Sequence, residues 1–353
     1  MRVLIVKLSS LGDVVHALPA LTDARAALPN VRFDWVVESA FAAIPRWHPA
    51  VGRVFPVALR RWRTAAHRHL GDWRAFQRDL RAQRYDLVID AQGLIKSALV
   101  ALLAQGPRAG FEQGSIREPL ASICYHARYR VSRDLHAVGR VRALFAQALG
   151  YCLPGTAADA GIVRPAAPVR AEAPYVVLLP GTTWPDKRWP LARWRQLAQT
   201  ASDAGLQVAV ACAGAVEREH AETIVAGLRR TTLLCDLTLP DVAAWLAHAS
   251  GVVGVDTGLA HLAAAFGTPT LTLHGPTDAA RTGVQGARSG SVTATLACAP
   301  CGRRVCGLAG APLVEVVGGA PCMNQLHARP VWQLLAARMT DVATPIAVAE
   351  LRA

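Results

Sequence analysis

The first residue suited to chemistry is Asp13, at the end of a short polar loop. Residues 3–6 are all aliphatic, and two serines and Gly12 stand between Lys7 and Asp13. An apolar run bounded by Ser and Gly is typical of a buried parallel strand, and ligands of open α/β sheets bind at the carboxyl ends of strands. Asp13 there could act as a general base, or it could only cap the helix that follows.

A second loop, residues 180–190, has the residue types of an anion site. Gly181 allows close approach of the backbone to a ligand. Thr182 and Thr183 offer hydroxyl donors, and Lys187 offers a mobile positive charge. Together these residues could hold a phosphate in front of the next helix. The alternative is an ordinary solvated loop, because Gly and Thr are common in such loops.

A third loop begins at Asp256 and leads into a helix of small and apolar residues that includes His261. Free amides at such a helix start, together with the helix dipole, favour a diphosphate close to Thr257 and Gly258. Alternatively, Asp256 only caps the helix and His261 is a core histidine.

These loops require strands and helices to position them. Apolar runs at residues 3–6, 33–37 and 87–89 alternate with helical patterns, which is typical of a parallel sheet covered on both faces. The alternation restarts at residues 175–179 and continues to residue 273. Neither half has GxGxxG after its first strand, which disfavours nicotinamide and flavin enzymes.

The length of 353 residues favours two domains. Residues 155–174 are rich in Ala, Pro and Gly with little periodicity, so we expect a linker at 161–174. The expected domains are two Rossmann-like, doubly wound α/β units facing a cleft, at 1–160 and 175–330. A final helix within 331–353 is expected to pack back on the first domain.

The net charge of +13 indicates an anionic partner, such as nucleic acid, a membrane surface or a phosphorylated substrate. Arginine is densest at residues 60–84, where most side chains are expected on a solvated helix face. Arg60, Arg61 and Arg63 precede that helix and are better candidates for ligand contact. No apolar stretch approaches the roughly 20 residues of a membrane span, and no signal peptide begins the chain, so we expect a cytosolic protein.

The eight cysteines are expected to be thiols in that compartment. Four of them follow the order CxxC, C, C, which resembles a structural zinc site with irregular spacing: Cys298, Cys301, Cys306 and Cys322. We favour free thiols over zinc, and we expect no catalytic metal.

Several motifs together carry a family resemblance. They are KLSSLGDVVHALPALTDA at 7–24, DLVIDAQGLIKSA at 86–98, REPLAS at 117–122, PGTTWPDKRWP at 180–190 and VDTGLAHL at 255–262. In this order they resemble the bacterial heptosyltransferases, a family (family 9) of GT-B glycosyltransferases. The amino-terminal motifs favour the type I branch over type II.

The resemblance implies an inverting, metal-independent transfer of L-glycero-D-manno-heptose from ADP-heptose to Kdo of Kdo2-lipid A, without a cofactor. In this family the amino-terminal domain holds the acceptor and the carboxyl-terminal domain holds the donor. Asp13 matches the proposed general base, and Lys187 is expected to stabilise the leaving diphosphate. The remaining matches on the donor side are Thr182, Thr183, Glu217 on the adenosine ribose, Asp256, Thr257, Gly258 and His261.

On the acceptor side, Kdo carboxylates and lipid A phosphates require cations. The candidate cations are Arg60, Arg61, Arg63 and Arg117, with Lys7 and Lys96 as further ones. Ser10 and Gly12, in the Asp13 loop, are the uncharged candidates for acceptor contact. A lipid-linked acceptor and the positive charge also predict peripheral attachment to the cytoplasmic face of the inner membrane. The alternatives are a type II enzyme, another GT-B sugar-nucleotide enzyme, or a basic nucleic-acid-binding protein. No nucleic-acid-binding motif supports the last of these, so we expect no nucleic-acid partner.

Overall fold

The computed structural model describes residues 1–64, 69–168, 171, 174–308 and 319–340. The chain divides into two compact units, Met1–Val163 and Arg164–Ala353. This boundary falls inside the linker predicted at 161–174.

The first unit alternates strands and helices, as its apolar runs predict. Its elements are β1 (Arg2–Val6), α1 (Leu11–Ala27), β2 (Arg32–Glu38), α2 (Ala43–Arg46), β3 (Val51–Val57), α3 (Leu59–Thr64), α4 (Leu70–Arg81), β4 (Leu87–Asp90), α5 (Ile95–Leu103), β5 (Arg108–Phe111), β6 (Ala127–Tyr129) and α6 (Ala137–Leu149), with a 3₁₀ helix at Pro119–Cys124 between β5 and β6.

The six strands form one parallel sheet in the order β3-β2-β1-β4-β5-β6. The chain builds outward from β1 to β3 and then returns to the other side of β1. Val6 lies opposite Asp90, so the carboxyl ends of β1 and β4 are neighbours where the strand order reverses. This is where open α/β sheets bind ligands.

A buried ion pair connects α1 to α6 in the first unit. Arg142 donates from Nε to Asp23 Oδ2 at 2.6 Å and from Nη2 to Oδ1 at 3.2 Å. The guanidinium also donates to the Thr156 carbonyl at 3.2 Å. The two side chains are only 11% and 8% exposed, so this pair holds both helices and the following segment in one arrangement.

The second unit repeats the alternation. Its elements are β7 (Tyr175–Leu179), a 3₁₀ helix at Pro185–Lys187, α7 (Leu191–Asp203), β8 (Gln207–Cys212), α8 (Gly214–Val225), β9 (Thr231–Cys235), α9 (Leu239–His248), β10 (Gly251–Val255), α10 (Gly258–Ala265), β11 (Thr270–His274), α11 (Ala279–Thr282), β12 (Ser289–Thr293), α12 (Pro321–Asn324) and α13 (Ala328–Thr340).

Its strands form a second six-stranded parallel sheet in the order β12-β11-β10-β7-β8-β9, and the order reverses between β7 and β10. Gly254 allows close packing there, since an added Cβ would lie 3.1 Å from Leu179 Cβ and 3.3 Å from Ala260 Cβ. The predicted class of two doubly wound α/β domains is confirmed.

Helix α13 begins three residues before the helix predicted at 331–353. It packs on α7, β10 and β11, where Leu335 and Met339 lie against Gly251. Residues 341–353 lie outside the described residues. Packing of the carboxyl-terminal segment on the first domain stays a prediction.

The expectation that every cysteine is a thiol is wrong for two of them. Cys212 and Cys235 are register partners on β8 and β9, with their Cα atoms 4.5 Å apart, and they form a disulfide bond. Direct opposition on neighbouring strands brings the pair within the range that a disulfide requires. The other six cysteines are free thiols.

Among the described residues, no helix combines the length and the apolar character that a membrane span requires.

Candidate active site

Asp13 lies in the first turn of α1, directly beyond β1. Its Oδ2 accepts hydrogen bonds from the backbone N–H and the hydroxyl of Ser10, both at 2.8 Å. Its Oδ1 lies 3.8 Å from Lys7 Nζ, and the side chain remains 44% exposed. One oxygen therefore helps to cap α1 while the other points toward a buried cation, so capping does not use up the carboxylate.

The surroundings of Asp13 favour its charged form. Burial raises the pKa of Asp13, but the charge of Lys7, the two hydrogen bonds from Ser10 and the charge of His16 together lower it below its ordinary value of 3.8. The carboxylate is therefore ionised at neutral pH and is able to accept a proton.

The loop after β4 fixes the loop after β1. Lys7 is buried, and its Nζ donates to the Ala91 carbonyl at 3.0 Å. Gln92 Oε1 accepts from the backbone N–H groups of Leu8 and Ser9 at 3.0 and 3.2 Å. Lys96 reaches the same loop, with Nζ 3.4 Å from Ser9 Oγ. Lys7 and Lys96, predicted as acceptor contacts, therefore both lie at the Asp13 loop.

Sequence reasoning missed Asp90, which holds the loop after β4 in place through hydrogen bonds. The fully buried carboxylate accepts from Tyr125 Oη at 2.7 Å, from Ser97 Oγ at 2.8 Å, and from the backbone N–H groups of Gln92 and Gly93. Burial raises the pKa of Asp90, against the effect of these hydrogen bonds. The signal was available, since Asp90 directly follows the strand predicted at 87–89 and a Gly follows three residues later.

The predicted acceptor residues differ in where the structure places them. Ser10 and Gly12 lie in the Asp13 loop, Ser10 exposed and Gly12 buried. Arg61, on α3, is 64% exposed and lies 3.6 Å from Asp72 on α4. Arg117 is exposed and precedes the 3₁₀ helix Pro119–Cys124. Arg60 and Arg63 belong to α3, but their side chains lie outside the described residues.

In the second unit, three of the predicted residues meet beyond β7 and β10. Lys187 Nζ donates to Asp256 Oδ2 at 2.8 Å. His261 Nε2 lies 3.5 Å from the other carboxylate oxygen, Oδ1. Lys187 Nζ also lies 4.5 Å from the ring centroid of Trp184, and the Lys187 and Asp256 side chains are only 13% and 10% exposed. The arrangement is a preorganised cation beside the start of α10.

Asp256 is strongly held in its charged form. Burial raises its pKa, but the hydrogen bond with His261 and the charges of His274 and Lys187 lower the pKa far below its ordinary value. The carboxylate thus keeps Lys187 in place at every physiological pH.

Glu217, in the first turn of α8 directly after β8, lies in the same region. Its Oε2 accepts from the Ala213 N–H at 2.9 Å, and a Cβ added to Gly181 would lie 2.8 Å from this oxygen. The loops after β7 and β8 are therefore in contact through Glu217. A side chain at position 181 would therefore displace the Glu217 carboxylate from its present position.

The remaining donor-side residues lie at the loop and at the helix start. Thr182 Oγ1 accepts from the Trp184 N–H at 3.2 Å, and Thr183 is exposed. Thr257 precedes α10 with extended backbone, and Gly258 is the first residue of the helix. The first amides of a helix have no partner within the helix, so they are available to an anion.

His274, at the end of β11, was not predicted as part of this site. Its two ring nitrogens lie 3.0 Å from Thr272 Oγ1 and from Thr277 Oγ1. Burial lowers the pKa of His274 to about 4, so the ring is neutral at pH 7. Its position directly after a buried strand, followed by Gly and Pro, was the available signal.

The late cysteines lie close to the Lys187 loop. Cys298, Cys301, Cys306 and Cys322 all line one small cavity, together with Asp186. Burial raises the pKa of the Cys322 thiol to about 11. Across the part of the chain that the structure describes, no group of three or more His, Cys, Asp or Glu could hold a metal ion, which gives the zinc alternative no support.

Comparison with known proteins identifies the family of the chain. The model of glycosyltransferase family 9 (heptosyltransferase) matches residues 73–311. The chain is 51% identical to lipopolysaccharide heptosyltransferase 1 of Pseudomonas aeruginosa, over 87% of each chain. It is 47% identical to lipopolysaccharide heptosyltransferase 1 of Escherichia coli K12, over 79% of this chain and 89% of the relative.

Solved structures give the same result. The E. coli heptosyltransferase WaaC with ADP superimposes with a TM-score of 0.84 at 41% identity, covering 96% of this chain and all of that one. The E. coli heptosyltransferase II structure, at 22% identity and a TM-score of 0.71, shares the fold. The chain therefore belongs to glycosyltransferase family 9, the heptosyltransferases, and it is a glycosyltransferase built from two α/β domains of the GT-B class.

Proposed function

We propose that the protein is a heptosyltransferase I of lipopolysaccharide core biosynthesis. It transfers L-glycero-D-manno-heptose from ADP-heptose to Kdo of Kdo2-lipid A. The observation that carries this proposal is the Lys187–Asp256–His261 cluster beyond β7 and β10. The similar E. coli structures, which hold ADP and ADP-2-deoxy-2-fluoro heptose, support a sugar-nucleotide donor.

On the donor side, the diphosphate of ADP-heptose binds between Lys187 and the first amides of α10. Lys187 offers further N–H donors beside the one given to Asp256, and the helix dipole adds positive potential at Thr257 and Gly258. Thr182 and Thr183 add hydroxyl donors, Glu217 binds the adenosine ribose, and His261 faces the heptose.

On the acceptor side, Asp13 removes the proton from the attacking Kdo hydroxyl. The hydroxyl oxygen bonds to the anomeric carbon as the bond to the diphosphate oxygen breaks on the opposite face, which inverts the configuration. Negative charge then grows on ADP, and Lys187 with the α10 amides stabilises it. These groups supply the stabilisation without a metal. Asp13 is suited to its role because its carboxylate is ionised at neutral pH.

The anionic groups of the acceptor meet cations of the first unit. Lys7 and Lys96 lie at the Asp13 loop, and Arg61 and Arg117 are exposed. Together with Arg60 and Arg63 they are proposed to bind Kdo carboxylates and lipid A phosphates, next to Ser10 and Gly12. The enzyme works as a peripheral protein on the cytoplasmic face of the inner membrane.

The direct test is incubation of the protein with ADP-heptose and Kdo2-lipid A. The expected result is one heptose mass increment on the lipid and an equal amount of released ADP. If the protein instead modifies only an already heptosylated core, it is a type II enzyme. No transfer to either acceptor would contradict the proposal.

A further inference from the structure

The first unit has an exposed apolar surface on two elements that pack against each other. On α5, Ile95, Leu99 and Leu102 are 43%, 55% and 43% exposed and recur at the i, i+4, i+7 spacing of one helix face. On the 3₁₀ helix Pro119–Cys124, Leu120 and Ile123 are 67% and 68% exposed. We call these five residues the α5 apolar face.

The two elements form one surface. The Ile95 N–H donates to Glu118 Oε2 at 2.7 Å, and the Glu118 N–H donates to the Gly93 carbonyl at 3.4 Å. Ala121 and Ser122, between the two exposed side chains of the 3₁₀ helix, are buried against the unit. Single exposed apolar side chains are common on proteins, but five on two packed elements mark a contact site.

Cations border the α5 apolar face. Lys96 adjoins Ile95 and Arg117 precedes the 3₁₀ helix, and both are exposed. Arg108 and Arg128 are fixed at its far end, with Nε donating to the carbonyls of Cys124 and Ser122, each at 2.9 Å. The whole unit is basic, since residues 1–163 contain 22 Lys and Arg against 12 Asp and Glu.

The positive charge around the α5 apolar face indicates which kind of partner covers it. In a two-fold dimer through this face, the cations of one copy would meet the same cations of the other. An anionic bilayer is complementary in both respects, because its headgroups attract the cations and its acyl region accepts shallow apolar side chains. We infer that the α5 apolar face docks the protein on an anionic lipid membrane. The inference builds on the proposed function, because a lipid-linked acceptor lies at such a surface.

The test is co-sedimentation with vesicles of phosphatidylglycerol and phosphatidylethanolamine, and with vesicles of phosphatidylcholine alone. We expect the protein to bind the anionic vesicles more tightly than the phosphatidylcholine vesicles. High salt should weaken binding to the anionic vesicles. The double variant L120S/I123S should lower the partition coefficient roughly tenfold. The matched control L153S/V163S removes two exposed apolar side chains elsewhere in the same unit, 46% and 63% exposed, and should leave binding unchanged.

Two further measurements separate this inference from the proposed function. Thermal melting checks that L120S/I123S is folded, and transfer to a deacylated, water-soluble acceptor should match that of the unsubstituted protein. Absent transferase activity with intact vesicle binding would contradict the proposed function alone. Equal vesicle binding by L120S/I123S and the control would overturn the inference. So would a dimer, seen in sedimentation velocity, that dissociates only in L120S/I123S, since a second copy would then cover the face.

Discussion

The two carboxylate oxygens of Asp13 have different partners. This difference distinguishes helix capping from proton acceptance, which the residue type alone does not. Oδ2 accepts both hydrogen bonds from Ser10, whereas Oδ1 faces Lys7. An asparagine at this position can keep an acceptor for Ser10 but cannot take up a proton at neutral pH.

The variant Asp13→Asn therefore tests catalysis apart from capping. We expect kcat to fall by about 10²–10⁴, the usual contribution of a general base. The affinity for ADP-heptose and the melting temperature should stay close to those of the unsubstituted protein. Steady-state kinetics, donor binding by calorimetry and thermal melting measure the three quantities. Unchanged turnover in D13N would leave Asp13 with the capping role alone.

Lys187 is the cation whose removal should affect the donor in both binding and reaction. A hydrogen bond to a charged group contributes about 1.5–3 kcal/mol, so Lys187→Ala should weaken ADP-heptose binding roughly 10- to 100-fold and slow transfer as well. The matched control is Arg195→Ala, which removes a charge from the exposed surface of α7. An effect of K187A confined to the acceptor KM would contradict the assignment.

At the scale of elements, both units use the same strand order, and the reversal of that order places each site. β1 and β4 meet beside Asp13, as β7 and β10 meet beside Lys187 and Asp256. The sequence predicted β1, β2, β4 and β7 to β11, because each of these strands contains an apolar run. It missed β3, whose Gly52 and Pro56 interrupt the run at the sheet edge, and β6, which is three residues long. It also missed β5 and β12, which contain few large apolar residues.

The candidate site was predictable only in part for a related reason. Residue types and strand ends indicate Asp13, Lys187 and Asp256 separately, because each follows an apolar run. The pairing of Lys187 with Asp256 spans 69 residues and depends on the strand order, which local patterns do not encode. The same holds for the Cys212–Cys235 disulfide, which depends on the register between β8 and β9.

The packing of α1 on α6 depends on Asp23 and Arg142. Asp23→Asn keeps the shape but leaves the buried guanidinium without a counter-charge, so we expect a loss of about 3 kcal/mol in the free energy of unfolding. Urea denaturation measures this loss. Asp79→Asn is the control, because its exposed pair with Arg78 should contribute less than about 1 kcal/mol. Equal effects of the two variants would contradict the structural role of the buried pair.

For the whole molecule, acid stability should depend on two buried histidines, one in each unit. Burial lowers the pKa of His48 and of His274 to about 4, against 6.5 ordinarily. Their contribution to stability is therefore complete above pH 6.5 and is lost as the pH falls toward 4, because the unfolded chain binds the protons first. Each histidine contributes up to about 3 kcal/mol.

Urea denaturation at pH 7, 6, 5 and 4 tests this expectation. His48 Nδ1 accepts from the Ala50 N–H, so protonation must break that hydrogen bond. His48→Gln should flatten the pH dependence of the first unit only. A free energy of unfolding that is constant between pH 6.5 and 4 would contradict the prediction. The pKa values of Asp13 and Asp256 are lowered in the folded protein. The stability that these carboxylates contribute is therefore lost only below pH 3.8, their ordinary pKa.

The boundary at Val163 has a consequence for how such enzymes diverge. The described residues that contact Asp13 all lie before this boundary, and the described residues that contact Lys187 all lie after it. Under the proposed function, in which the first unit binds the acceptor and the second binds the donor, we expect acceptor choice and donor choice to be inheritable as separate modules. A chimera that joins residues 1–163 of this chain to the second unit of a relative with another nucleotide preference should keep its acceptor and change its donor, and competition between two donors in one reaction would reveal this.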